Sequence, residues 1–244
     1  MLFRRLIFLL IILITGQSLL SGDDQRAQFI FSQLEYPGNW DPHPDAFEQI
    51  YYYMANTTSI KVDPQRRVVK AGDELLFYSP FILFTGRGRY PEFTETDISN
   101  LRRYLNGGGI MLIDTCSDPE FEASADRTIE RVFPGNSYKK IGDDHAVFRS
   151  FYLINYVSGL SIRTPYLEGI TVSSRIAVIK SRNDLLGIWP RDRLGNWKNS
   201  IVSGRYGQRK EAIKLTLNLL IYSVCGTYKN DPVHQPHIDK KLGR

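Results

Sequence analysis

The residues D-T-C-S-D, Asp114 to Asp118, set a thiol among carboxylates directly after an apolar run, in G-G-G-I-M-L-I-D-T-C-S-D-P-E-F over 107–121. A cysteine so placed can serve as a nucleophile, because strand-to-helix loops of doubly wound α/β proteins carry reactive groups. The same pattern argues against reactivity. A helix opening at Asp118-Pro119 brings a partial positive charge near the thiol, but Asp114 and Asp118 bring two full negative charges, and these hold a thiol protonated. The bases are few, since the chain has four histidines. His145, in D-D-H-A-V-F, is the candidate partner for Cys116 or Asp114, while His43 sits in the turn W-D-P-H-P. His234 and His237 flank Pro236, which forbids the regular helix that would aim both rings at one ion. No metal site and no cofactor are expected.

These groups need elements to position them. Gln28 to Gln33 (Q-F-I-F-S-Q) reads as a first strand, and Phe47, Ile50, Tyr51 and Met54 then recur at helical spacing. Phe81 to Thr85 and Ile110 to Asp114 are continuous apolar runs of the kind buried on both faces in a parallel sheet. Between them Thr94-x-x-Asp97 predicts a capping box, with Ile98, Leu101, Tyr104 and Leu105 facing inward and Gly107 to Gly109 ending the helix. Asp118-Pro119 predicts a helix start that runs to about Val132. Ile176 to Lys180 reads as a later strand, and Gln208 to Cys225 as an apolar last helix.

The alternation predicts an α/β fold with a doubly wound, mainly parallel sheet and helices on both faces. Ligands of such sheets bind outside the carboxyl ends of the strands. The loops there bring together Glu35, Asn39 and Trp40; Gly86, Arg87 and Gly88; Asp114, Cys116 and Ser117; and Asn183 with Asp184. Carboxylates, an arginine and a tryptophan in one cleft suit a polar ligand such as a sugar or peptide fragment. Structural uses compete for the same residues: Asp114 and Asp184 as helix caps, Gly86 and Gly88 in a turn, Trp40 as packing.

A chain of 244 residues, 42% hydrophobic, buries one substantial core. Arg4 and Arg5 precede an uncharged stretch from Leu6 to Leu20, which Gly16, Gln17 and Ser18 interrupt. That is the layout of a signal peptide over residues 1–22, the alternative being a short N-terminal anchor; a membrane span needs about 20 apolar residues. A domain over 27–226 and a loose tail over 227–244 complete the expected organisation. Export permits a disulfide between Cys116 and Cys225, but the two are expected at opposite edges of the sheet, and both read as free thiols. The formal charge of +5 falls to +3 without Arg4 and Arg5, too little to argue for nucleic acid. Ten lysines and arginines against three acids between Arg175 and Lys214 make that portion basic.

The blocks F-I-F-S-Q-L-E-Y-P-G-N-W-D-P-H-P, S-P-F-I-L-F-T-G-R-G, L-R-R-Y-L-N-G-G-G-I-M-L-I-D-T-C-S-D-P-E-F, R-V-F-P-G, D-D-H-A-V-F-R-S-F-Y and S-R-N-D-L-L-G-I-W, taken in order with the last helix, resemble a bacterial family of unknown function. The resemblance implies an exported or membrane-associated protein with a class I glutamine amidotransferase-like fold. It also implies association with membrane proteins that carry von Willebrand factor A domains of the aerotolerance type. Glutamine amidotransferases place their cysteine in G-x-C-x-G with a downstream histidine and acid, whereas this chain has D-T-C-S-D and no H-P-E. Three functions follow: a non-catalytic binding or assembly module of a cell-envelope system, a hydrolase or amidotransferase-like enzyme using Asp114 or Cys116 with His145, and a glycan binder using Trp40, Trp189, Trp197 and the tyrosines at 51–53.

Overall fold

The computed structural model describes residues 29–202 and 204–225. Among the described residues seven strands form one sheet: β1 (Ser32–Glu35), β2 (Arg67–Lys70), β3 (Phe81–Thr85), β4 (Ile110–Asp114), β5 (Lys139–Lys140), β6 (Glu168–Val172) and β7 (Arg175–Ser181). The helices are α1 (Ala46–Thr57), α2 (Glu95–Asn106), α3 (Pro119–Val132) and α4 (Gln208–Cys225). The sheet order is β2-β1-β3-β4-β7-β6-β5. The pairs from β2 across to β7 are parallel, and β6 and β5 add an antiparallel edge.

The local signals act where their chemistry places them. β3 and β4 are buried at every position, as continuous apolar strands between two helical layers must be. Thr94 and Asp97 close a reciprocal capping box at the start of α2, and Asp118 accepts from the N–H groups of Glu120 and Phe121 at the start of α3. One hydrophobic cluster joins Leu83, Leu112 and Ile179 to Ile50 and Met54 of α1 and to Leu217 and Leu220 of α4. The other joins Ile82, Phe84, Met111 and Ile113 to Leu101 of α2 and Ile129 of α3. The helices therefore cover both faces of the sheet.

Two differences from the sequence reading have simple causes. The first strand begins at Ser32, and Phe29 makes only an isolated bridge to Val62; Gln28 lies outside the described residues. Strands β2, β5 and β6 carry R-V-V-K, K-K and E-G-I-T-V, short and partly exposed segments without a continuous apolar run. The leader at 1–22, the tail with His234 and His237, and the side chain of Cys225 lie outside the described residues. Among the described residues no helix is long and apolar enough to cross a membrane.

Candidate functional site

The chain leaves β1 outward to β2 and returns to β3 on the other side of β1, so the strand order reverses between β1 and β3. In open α/β sheets the crevice outside the carboxyl ends at such a reversal is where ligands bind. Four loops meet there: those after β1, β3, β4 and β7. Their side chains His43, Arg87, Cys116 and Asp184 form one cluster.

The loop after β1 is drawn over the edge of β3. Asn39 pairs with Arg87 as an isolated antiparallel bridge, and the Arg87 N–H donates to the Asn39 carbonyl at 3.0 Å. This approach requires a glycine at position 86, since a Cβ there would stand 1.7 Å from the Tyr36 hydroxyl and 2.8 Å from the Asn39 carbonyl. The loop thereby carries His43 to Asp184, with Nε2 and Oδ1 3.2 Å apart, and His43 is only 8% exposed.

Asp114 builds the opposite wall. Fully buried at the end of β4, it accepts from the N–H of Leu185 at 3.1 Å and of Leu186 at 2.8 Å, so the turn after β7 is fastened to β4. That turn holds Asp184 at φ 50°, a left-handed conformation costly for a non-glycine residue. The Asp184 carboxylate then turns back onto the N–H of Gly187 at 2.8 Å, where a Cβ would stand 2.6 Å from the carboxylate oxygens. Neither Asp114 nor Asp184 caps a helix. Burial first, and the Asp184 carboxylate second, push the Asp114 carboxyl well above the usual carboxylate range, against the two N–H donors.

Cys116 and Ser117 also take left-handed backbone, at φ 50° and 57°. The thiol is buried, 3.1 Å from the Thr85 hydroxyl, and one donor atom from each of His43, Cys116 and Asp184 lies within 4.8 Å of the others. Burial, then Asp114 and Asp184, push the thiol well above its ordinary range, outweighing the Thr85 hydrogen bond and the nearby Arg87. The second carboxylate acting on the thiol is thus Asp184, while Asp118 is occupied in capping α3. Arg87 lies over the cluster with 45% of its side chain exposed, 3.4 Å from His43 Nε2 and 3.9 Å from Asp184 Oδ2.

The remaining sequence candidates hold the loops in place or lie elsewhere. The Ser117 hydroxyl contacts that of Ser161 at 2.5 Å and donates to the Arg182 carbonyl. Asn183 clamps the 163–164 backbone through three hydrogen bonds. Trp40 lies under the Arg66 guanidinium, which grips Asp41 with two hydrogen bonds. Asn39 contributes its carbonyl, and Gly88 has φ 70°. Glu35 lines a separate cavity of about 330 Å³ with Lys70, Glu92 and Asp97. His145 is not in the cluster: its Nδ1 accepts from the Val147 N–H and its ring meets Tyr222 edge-on. The base-type group missed in the sequence is His43. Its available signal was position, since the loop after the first strand of a parallel sheet opens on the ligand edge.

Comparison with curated proteins gives no match. Residues 30–224, which include all seven strands of the sheet, α4 but for its last residue, and all four loops of the cluster, match the family described as a domain of unknown function (DUF4159), and the chain belongs to that family.

Proposed function

We propose that this domain is a binding module of a bacterial cell envelope, built on a doubly wound, class I glutamine amidotransferase-like frame. It takes a small anionic ligand, such as a carboxylate-bearing sugar or peptide, at the carboxyl ends of its parallel strands. The supporting observation is an asymmetry: His43, Cys116 and Asp184 are covered, whereas Arg87 keeps nearly half of its side chain in solvent above them. A guanidinium at the mouth of a crevice is a forked donor for a carboxylate. The thiol below it is protonated and covered, which is poor material for a nucleophile. The proposed compartment is outside the cytoplasm, with a von Willebrand factor A-type membrane protein as the partner that the family resemblance offers.

Titration calorimetry with carboxylate-bearing cell-wall peptides tests the reading. Native protein should bind, Arg87→Ala should weaken binding about tenfold or more, and Arg87→Lys should retain part of it. Equal affinities for native protein and Arg87→Ala would overturn it.

One observation favours a second reading, a thiol hydrolase with Cys116 as nucleophile and His43, held by Asp184, as base. Cys116 stands on a left-handed strand-to-helix turn, the placement of nucleophile elbows. Its test is the reactivity of the thiol. The glycan reading is weakened at two of its aromatics, because Trp189 is fully buried against Tyr53 and the Trp197 ring carries the Arg191 and Arg209 guanidinium groups, whereas Tyr52 stays exposed.

A further inference from the structure

We infer that His43, Cys116 and Asp184 form a binding site for a divalent metal ion of the zinc type. The three residues supply an imidazole, a thiol and a carboxylate, all buried, with one donor atom from each within 4.8 Å of the other two. Bonds of about 2.0–2.3 Å to a tetrahedral ion place neighbouring donors about 3.4 Å apart. His43 Nε2 and Asp184 Oδ1, at 3.2 Å, already stand at that separation. The sulfur has a donor atom of each of the other two residues within 4.8 Å, and rotation about one side-chain torsion closes a gap of that order.

Independent features hold each donor. His43 rides on the loop fastened to Arg87, Asp184 on the turn fastened to Asp114, and Cys116 on the first turn after β4. An outer contact of the kind that orients metal ligands is also present: the Gly187 N–H donates to Asp184 Oδ1 at 2.8 Å. Two of the three donors sit on left-handed backbone, the strained geometry that collects at ligand clamps. Arg87, half exposed, can swing from His43 Nε2 and keep its contact with the other oxygen of Asp184.

Thiolate and imidazole select zinc or cobalt over magnesium or calcium. On loading, the S–H bond breaks, its proton passes to solvent, and the sulfur electron pair forms the metal–sulfur bond. Three protein donors leave a fourth position for water or an anionic group. The site stands whether or not Arg87 reads a ligand.

Cobalt(II) titration of the full chain under reducing conditions, freed of metal beforehand, is the test. Expected are one equivalent bound, a near-ultraviolet sulfur-to-cobalt charge-transfer band, intense visible bands of tetrahedral cobalt, and loss of all of them when zinc is added. Cys116→Ser should lose the near-ultraviolet band while keeping the native circular dichroism spectrum, and Asp184→Asn and His43→Gln should each weaken binding about tenfold or more. Absence of a one-equivalent sulfur band in native protein would overturn the inference. So would a band that survives in Cys116→Ser, which would place the metal on Cys225.

Discussion

Asp114 and Asp184 are both buried carboxylates, yet they have different tasks. Asp114 is saturated by the N–H groups of Leu185 and Leu186 and holds a turn, whereas Asp184 turns toward His43 and Arg87. Asp114→Asn replaces one acceptor oxygen by a donor and leaves one of the two N–H groups unpaired, so denaturation should show a loss of about 1–3 kcal/mol. An unchanged midpoint would mean that something other than Asp114 fastens the turn. His145 carries a different expectation. Burial holds its pKa below the usual histidine value, despite the opposing Asp144 and with a small contribution from Arg149, and its Nδ1 must stay unprotonated to accept from Val147. The unfolded chain therefore binds the proton more readily. The stabilisation is fully present above the ordinary histidine range near pH 6.5 and is lost as pH falls below it. His145→Asn, which can cap without titrating, should flatten that part of the stability–pH profile; an unaltered profile would contradict the assignment. Most of the cluster was legible, because Arg87, Asp114, Cys116 and Asp184 follow from the rule that strand carboxyl ends gather ligand groups. His43 was not, because W-D-P-H-P reads as a turn whatever its histidine does. Its task arises only when that loop folds across Gly86 onto Asp184, a contact between distant parts of the chain.

The elements that were legible carry local chemistry strong enough to decide alone. β3 and β4 are unbroken apolar runs, α2 has its capping box, and α3 has Asp118 and Pro119 at its start. β5 and β6 lack such marks because their pairing is set by β7 in the assembled sheet. Lys180 shows how far assembly can override residue type. It lies near the end of an apolar strand where a solvated amine would be expected, yet its side chain is 1% exposed. The ammonium lies 2.9 Å from Asp126, 3.5 Å from Glu168 and 3.8 Å from the centre of the Tyr138 ring. Removing the ammonium leaves Glu168 with Arg182 alone, 3.1 Å away, and Asp126 to partial solvation, so Lys180→Ala should cost about 1–3 kcal/mol in denaturant unfolding. Lys180→Met, which keeps the volume but not the charge, should cost nearly as much unless Glu168 is neutralised too, and Lys180→Met with Glu168→Gln should recover part of the loss. Equal stability of native protein and Lys180→Ala would show that the amine reaches water.

Taken whole, the molecule brings basic residues to the edge that carries the cluster. The cluster occupies the carboxyl ends of the central parallel strands, and the segment before α4 reaches the same loops, with Lys198 paired to Asp45 after β1 and the Asn199 amide donating to the Gly187 carbonyl. The chain belongs to a family of unknown function over residues 30–224, and within that span the four loops converge on a covered thiol, its pKa pushed up by burial, beneath a half-exposed guanidinium. The chemistry of this edge turns on the state of that thiol. Alkylation of Cys116 by iodoacetamide, followed site by site by mass spectrometry on the native full chain with a metal chelator present, reads it directly. The expected result is slow modification at neutral pH that stays slow through the ordinary thiol range near pH 8.5, with Cys116→Ser folded as the native chain is. Rapid modification of Cys116 at about pH 6 would contradict the account and make the thiol a nucleophile activated by His43.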